Sequence, residues 1–420
     1  MALQLTPDEQ QMLTSDATSP GLAMAMRIVV EAARLLGAER LVEIKSAHAD
    51  GVLYHGDSGV FFAERLLAEN ARVAVPTTCN VGSVDLLHPD LIKGDPHHLA
   101  MGRRLMEAHV ALGCQPTWTC APYQAGHRPK LGEQVAWGES NAIAFVNSVL
   151  GARTNRYGDF LDLCCAITGR APYYGLHLTE NRRARIVFDV AGLSPELRAD
   201  ETFYPVIGAF LGAHAGDTVA AITGLSVPVS EDNLKALGAG AASTGAVGLF
   251  HVVGVTPEAK TLDDALQGGT ADETIVVSMA MLTEARDRLG PARPGAEIDC
   301  LALGSPHFSI EECRALLTAS EDLTFKVPVY VCVGRHVYDY LAKDGSVGLL
   351  EARGVTFVVD TCVVVTPILE QVDGVLMTNS AKFAHYARPN TGYQSVFGSL
   401  ADCVASAAVG HVVRRDEVWR

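Results

Sequence analysis

Short apolar runs that each end in a glycine or a polar turn, alternating with helix-like segments, constrain this chain more than any other feature. The plainest is Ile298–Leu303, followed by Gly304 and then by Ser305, Pro306, His307 and Ser309. Such a run reads as a buried strand delivering a tight turn. Leu41–Ser46, Val73–Val75, Cys114–Trp118, Ala184–Val190, Val327–Val331, Thr356–Val359 and Gly374–Met377 read as further strands. Pro20–Leu36, Gly59–Glu69, Met101–Leu112 and Trp137–Ala152 carry helical periodicity between them. Alternation of this kind makes a largely parallel α/β sheet the default, with ligands bound beyond the carboxyl ends of its strands.

A chain of 420 residues exceeds one ordinary core. The expected division is an N-terminal α/β domain over 1–184, a second over 185–290, and a third over 291–420. The Pro- and Gly-bearing segment Pro291–Ala296 is the linker into the third. A formal net charge of −15 argues against a nucleic-acid surface. No run of about 18 apolar residues offers a membrane span. The first residues lack a basic stretch followed by an apolar one, so no secretory signal is read and the expected compartment is the cytoplasm. Ten cysteines occur without a zinc-ribbon spacing. Cys332 and Cys403 read as core filler. Cys79, Cys120 and Cys362 follow strands and are the ones to place.

Three niches have the chemistry of a site. Thr361–Cys362 emerges after Asp360 at the end of a buried run. The segment Asn379–Tyr386 begins a helix whose free N–H groups suit a carboxylate, with Lys382 adding a full charge. Asn80, Gly82 and Ser83 form a similar strand-to-helix niche, and Arg153, Arg156 and Arg170 are candidate carboxylate clamps. The run Gly238–Gly245 invites a dinucleotide reading, but it follows a helix-like segment and its third glycine is misplaced, which favours packing.

Taken together, T-T-C-N-V-G-S-V-D, T-C-A-P-Y, I-T-G-R-A-P-Y-Y-G-L-H, G-S-P-H-F-S, D-T-C and N-S-A-K-F-A-H-Y resemble the large, catalytic component of the aconitase X family. The resemblance implies an aconitase-like α/β fold, with three α/β domains of largely parallel sheets around a central cleft. With the chain ending at Arg420, it places the swivel domain on a small partner subunit, which would bring a catalytic serine base. It implies an iron–sulfur centre held by Cys120 and Cys362, and substrate contacts from Gly51, Val52, Leu53, Asn80, Val81 and Lys382, to which the niche adds Ser83. Ser305, His307 and Lys382 are the catalytic candidates. Position 305 is Ser where the phosphomevalonate branch has Cys, and a hydroxyl is a poorer ligand than thiolate. A third ligand is therefore sought at Cys300 or Cys79. The centre is a [2Fe–2S] or [4Fe–4S] cluster, or mononuclear iron.

The expected activity is that of an iron-dependent hydro-lyase acting on a small hydroxy acid. The foremost substrate is cis-3-hydroxy-L-proline, giving Δ1-pyrroline-2-carboxylate, because Ser305 and Val81 both depart from the phosphomevalonate pattern. Mevalonate 5-phosphate is the rival substrate. A scaffold that has lost its cluster is the non-catalytic alternative.

Overall fold

The computed structural model describes residues 3–14, 18–290, 293–370 and 373–420. Pro291 and Ala292 of the expected linker lie outside the described residues. By their internal contacts the residues form two compact units. The first holds Met1–Val84 and Gly94–Arg183, the second Asp85–Lys93 and Ala184–Arg420.

In the first unit, β1 (Leu41–Glu43) pairs antiparallel with β5 (Arg170–Pro172). The three-stranded sheet is parallel, in the order β3 (Thr77–Cys79), β2 (Ala47–Ala49), β4 (Ala136–Trp137). Two expectations need correction. Ala47–Ala49, which the strand expected over Leu41–Ser46 leaves out, is the central strand and is wholly buried. Val73–Val75, read as strand, instead ties two helix ends together, Val73 N–H to the Leu112 carbonyl (3.0 Å) and Ala74 N–H to that of Ala166 (2.8 Å). Pairing begins only beyond Pro76, which lacks the N–H a ladder needs. The helix Pro20–Leu35 starts where Ser19 Oγ accepts the Leu22 N–H (3.2 Å), with proline in its first turn. It buries Met26, Val29, Val30 and Ala33 and packs on the helix Leu161–Thr168, which is buried beyond its first residue.

The second unit contains two wholly parallel sheets. One has the order β8 (Phe250–Val252), β7 (Ala220–Thr223), β6 (Ile186–Asp189), β9 (Glu273–Val276). The other runs β12 (Val355–Val359), β11 (Val329–Val333), β10 (Cys300–Phe308), β13 (Val375–Thr378), β14 (Gln394–Phe397). Every residue of β10 and β11 is buried, as continuous apolar runs between covering helices require.

The turn expected at Gly304 is instead a long bulge inside β10. Leu303 pairs with Val331 and Phe308 with Val333, so β10 advances 308 − 303 = 5 residues while β11 advances 333 − 331 = 2. Gly304 has φ +85°, and a Cβ there would stand 2.1 Å from the Cys332 carbonyl oxygen. Only glycine combines that backbone with that approach.

The Gly-rich run over 238–245 belongs to the helix Glu231–Thr244, which packs closely on the helix Phe203–Ala215. A Cβ on Gly240 would lie 2.7 Å from the Pro205 carbonyl oxygen, and one on Gly208 would lie 2.2 Å from that of Leu237. The run is thus a helix-packing surface. Gly208→Ala is expected to cost about 2 kcal/mol or more by forcing the helices apart, measured as a lowered urea midpoint at unchanged slope.

Candidate active site

Within the second unit, the β10 bulge, the end of β11 and the loop after β12 bring four groups together. Cys362 is buried, and a hydrogen bond with Cys332 draws its thiol below the ordinary value, against the opposing pull of burial. The Val364 amide, the Lys382 charge and a hydrogen bond with Ser305 act in the same direction. Burial alone would keep a thiol protonated, so this local field makes Cys362 the thiol nearest to becoming a ligand.

The loop that carries Cys362 is strongly held. Asp360 has φ +65°, rare for a residue with a side chain, and Arg335 grips both of its carboxylate oxygens, one through Nε at 3.0 Å. The Cys362 carbonyl accepts the Val365 and Thr366 N–H groups at 3.1 and 3.0 Å. Thr361 and Thr366 hydroxyls meet at 2.5 Å. His307 is buried, and its Nε2 donates to the Thr361 carbonyl at 3.0 Å. Burial first, with the charges of Lys235 and Lys382 helping, drives its pKa down to about 3. His307 thus ties the bulge to the Cys362 loop.

Lys382 stands in the first turn of the helix Ala381–Thr391. Its N-cap Ser380 accepts the Phe383 N–H at 3.0 Å and donates its hydroxyl to the Ser305 carbonyl. Ser305 and Ser380 also line a cavity of about 110 Å³ with Glu201, Asp232, Lys235 and Glu312. The fully buried Lys235 contacts Glu312, Asp232 (2.8 Å) and the His307 carbonyl (3.3 Å). Burial opposes its charge, but the two carboxylates outweigh it and hold it cationic.

Cys300 opens β10 and sits apart from this group. Its Cα partner is Leu376. Burial, aided by Asp299, pushes its thiol up to about 12, so it is a weak candidate for the third ligand. Cys79, in the first unit, is hydrogen-bonded to Cys114, and burial pushes it well above its ordinary value.

In the first unit Gly51, Val52 and Leu53 follow β2, and Asn80, Val81 and Ser83 follow β3, both at strand carboxyl ends. The Asn80 amide donates to Asp50 Oδ1, while its buried Oδ1 has no hydrogen-bond partner among the described residues. The geometry leaves Asn80 an acceptor to offer. Ser83 Oγ accepts the Tyr54 N–H at 2.7 Å. Cys120 is buried, with its carbonyl accepting from Asn141 at 3.3 Å. Two expected clamps are otherwise engaged: Arg170 pairs with Glu9 at 3.2 Å, and Arg153 binds Thr179 at 2.7 Å.

The aconitase X first-domain model matches residues 2–180, the second-domain model 184–287 and the third-domain model 298–409. The chain belongs to the aconitase X family. It is 40% identical over 406 residues to a cis-3-hydroxy-L-proline dehydratase of Hypocrea jecorina, with 94% of the chain aligned to 67% of that protein. It is 41% identical to the protein of that name from Pseudomonas aeruginosa, again spanning 67% of its length. A phosphomevalonate dehydratase large subunit of Methanothermobacter thermautotrophicus is 37% identical, with 89% of the chain covering 91% of it. The crystal structure of holo-form aconitase X from Thermococcus kodakaraensis superposes at TM-score 0.86 with 31% identity, over 96% of this chain and all of that one.

Seen as an aconitase X, the chain has two thiols in contact, Cys332 and Cys362, beside a hydroxyl and a cation. That set fits a thiolate-seeking metal as far as two sulfurs. Among the described residues no three His, Cys, Asp or Glu side chains stand at metal-ligand spacing. Cys332, read from the sequence as core filler, is fully buried in its strand, and what that reading did not foresee is its hydrogen bond with Cys362. The available signal was position: Cys332 precedes Val333 and Gly334 at the carboxyl end of a parallel strand.

Proposed function

We propose that this aconitase X chain dehydrates cis-3-hydroxy-L-proline, losing the C2 proton and the C3 hydroxyl as water. The enamine so formed tautomerises to Δ1-pyrroline-2-carboxylate. The observation that carries the reading is the lowered Cys362 thiol held by Cys332, Ser305 and Lys382 where parallel strands end. The relatives named for this substrate are 40% and 41% identical, against 37% for the large subunit named for phosphomevalonate. Ser305 supports the same branch.

Cys362 and Cys332 would hold an iron or iron–sulfur centre in the second unit. When bound, such a centre supplies Lewis-acid polarisation of the departing hydroxyl. Lys382 contributes the charge that favours thiolate and compensates a substrate carboxylate. Asn80 Oδ1 offers an acceptor to the ring ammonium, and neutral His307 keeps the bulge and the Cys362 loop in register. The proton-abstracting serine is proposed to reside on a small swivel-domain partner, a class of arrangement suggested by the relatives called large subunits. All ten cysteines are buried and none is in a disulfide, which suits a cytoplasmic enzyme. No described helix is long and apolar enough to cross a membrane.

The test is anaerobic co-purification with that small chain and an assay for Δ1-pyrroline-2-carboxylate. Turnover of cis-3-hydroxy-L-proline with iron retained is the expected result. Turnover of mevalonate 5-phosphate instead would move the chain to the other branch. A metal-free complex inert to both would make it a scaffold.

A further inference from the structure

Asp162 is wholly buried in the first turn of the helix Leu161–Thr168, and both of its carboxyl oxygens accept backbone N–H groups. Oδ2 takes the Asp50 N–H at 2.6 Å and Oδ1 takes the Leu163 N–H at 2.7 Å. Asp50 directly follows the strand β2, receives the Asn80 amide on its own carboxylate, and gives its carbonyl to the Leu53 N–H at 3.3 Å. One buried side chain therefore holds the start of the Gly51–Leu53 loop and, through Asp50, the Asn80 side chain.

The neighbouring sequence makes room for this contact. A Cβ on Gly138 would lie 2.7 Å from Asp162 Oδ2 and 2.6 Å from Asp50 Cβ. Only a residue without a side chain lets the two aspartates approach across β4. Asparagine at 162 would not serve equally, because its amide nitrogen cannot accept from a backbone N–H.

We propose that Asp162 is the positioning residue of the loop Asp50–Leu53 and of Asn80, fixing the part of the site that meets substrate. This rests on the reading above that Gly51–Leu53 and Asn80 contact the hydroxy acid. The groups acting on Asp162 or acted on by it are Asp50, Asp159, Cys79, Cys164 and Cys165. Burial, reinforced by Asp50 and Asp159, pushes the Asp162 carboxyl up to about 8 despite its two backbone bonds. Because the folded pKa lies above the unfolded one, the stability this group contributes is present at acid pH and is lost as pH rises through about 8.

The test compares the wild-type chain with Asp162→Asn, both with the small partner, by hydrogen exchange of residues 47–53 and by steady-state kinetics. In Asp162→Asn the Asp50 amide should exchange roughly tenfold faster, and KM should rise by a similar factor with kcat changed less. Gly138→Ala, which separates the aspartates while keeping both, should reproduce the faster loop exchange and serves if Asp162→Asn fails to fold. Unchanged Asp50 protection in either folded variant overturns the inference. If the wild type leaves cis-3-hydroxy-L-proline untouched while the exchange results hold, the substrate reading falls and the positioning role stands.

Discussion

Cys362→Ser should leave the purified complex without iron, with turnover of cis-3-hydroxy-L-proline down by roughly a thousandfold or more, the scale of a lost Lewis acid. The reasoning is local. Cys362 is the thiol drawn downward by its surroundings, whereas Cys79, Cys300 and Cys313 are pushed up. Cys332→Ser should show the same loss, since the two sulfurs are hydrogen-bonded. Cys300→Ser should retain iron, and Ser305→Ala should retain it too if the hydroxyl only supports Cys362. Iron and sulfide analysis reads all four without reference to turnover. Full iron in Cys362→Ser would remove Cys362 from the ligand set, and loss of iron in Cys300→Ser would restore the ligand first sought at that position.

Lys235→Met should destabilise the chain by about 3–5 kcal/mol, because it leaves the buried faces of Glu312 and Asp232 without their cation. Lys235 is 2% exposed and spans both carboxylates and the His307 carbonyl. Equilibrium unfolding in urea measures the loss. Adding Glu312→Gln to Lys235→Met should recover part of it, giving a coupling energy of 0.5 kcal/mol or more between contacting residues. Strict additivity would show that the pair does not communicate. A second effect follows from connectivity: Lys235 holds His307, and His307 holds Thr361. The folded fraction of Lys235→Met should therefore lose iron faster on dialysis than the wild type.

The class of the fold was legible because parallel strands buried on both faces must be apolar along their length, as Val329–Val333 is. Places where backbone geometry overrides pattern were not. Ala47–Ala49 is too short to show a period, yet it is the centre of a sheet. The bulge in β10 looks like a turn because Gly304 marks an unusual φ without saying whether pairing resumes. Of the candidate site, Ser305, Cys362 and Lys382 could be found by strand ends and a helix start. Lys235 and Asp162 could not, because a buried polar group is recognised by its partners. Those partners lie far away in sequence: Glu312 for Lys235, 77 residues on, and Asp50 for Asp162, 112 residues back.

The uneven pairing of β10 and β11 also bears on how such an enzyme changes over time. Three more residues are spent on one strand than on the other between two fixed rungs, Leu303–Val331 and Phe308–Val333. The rungs carry the sheet, while the slack between them carries Ser305. A substitution at 305 can alter the chemistry at the mouth of the strand without disturbing a ladder hydrogen bond. Losing or gaining one residue there would shift the register and turn Phe308 to the opposite face. The segment behaves as an exchangeable cartridge: open to change at 305, fixed in length and at Gly304. Descent into different substrates would then be recorded in the letters of that insert, with the scaffold around it left intact.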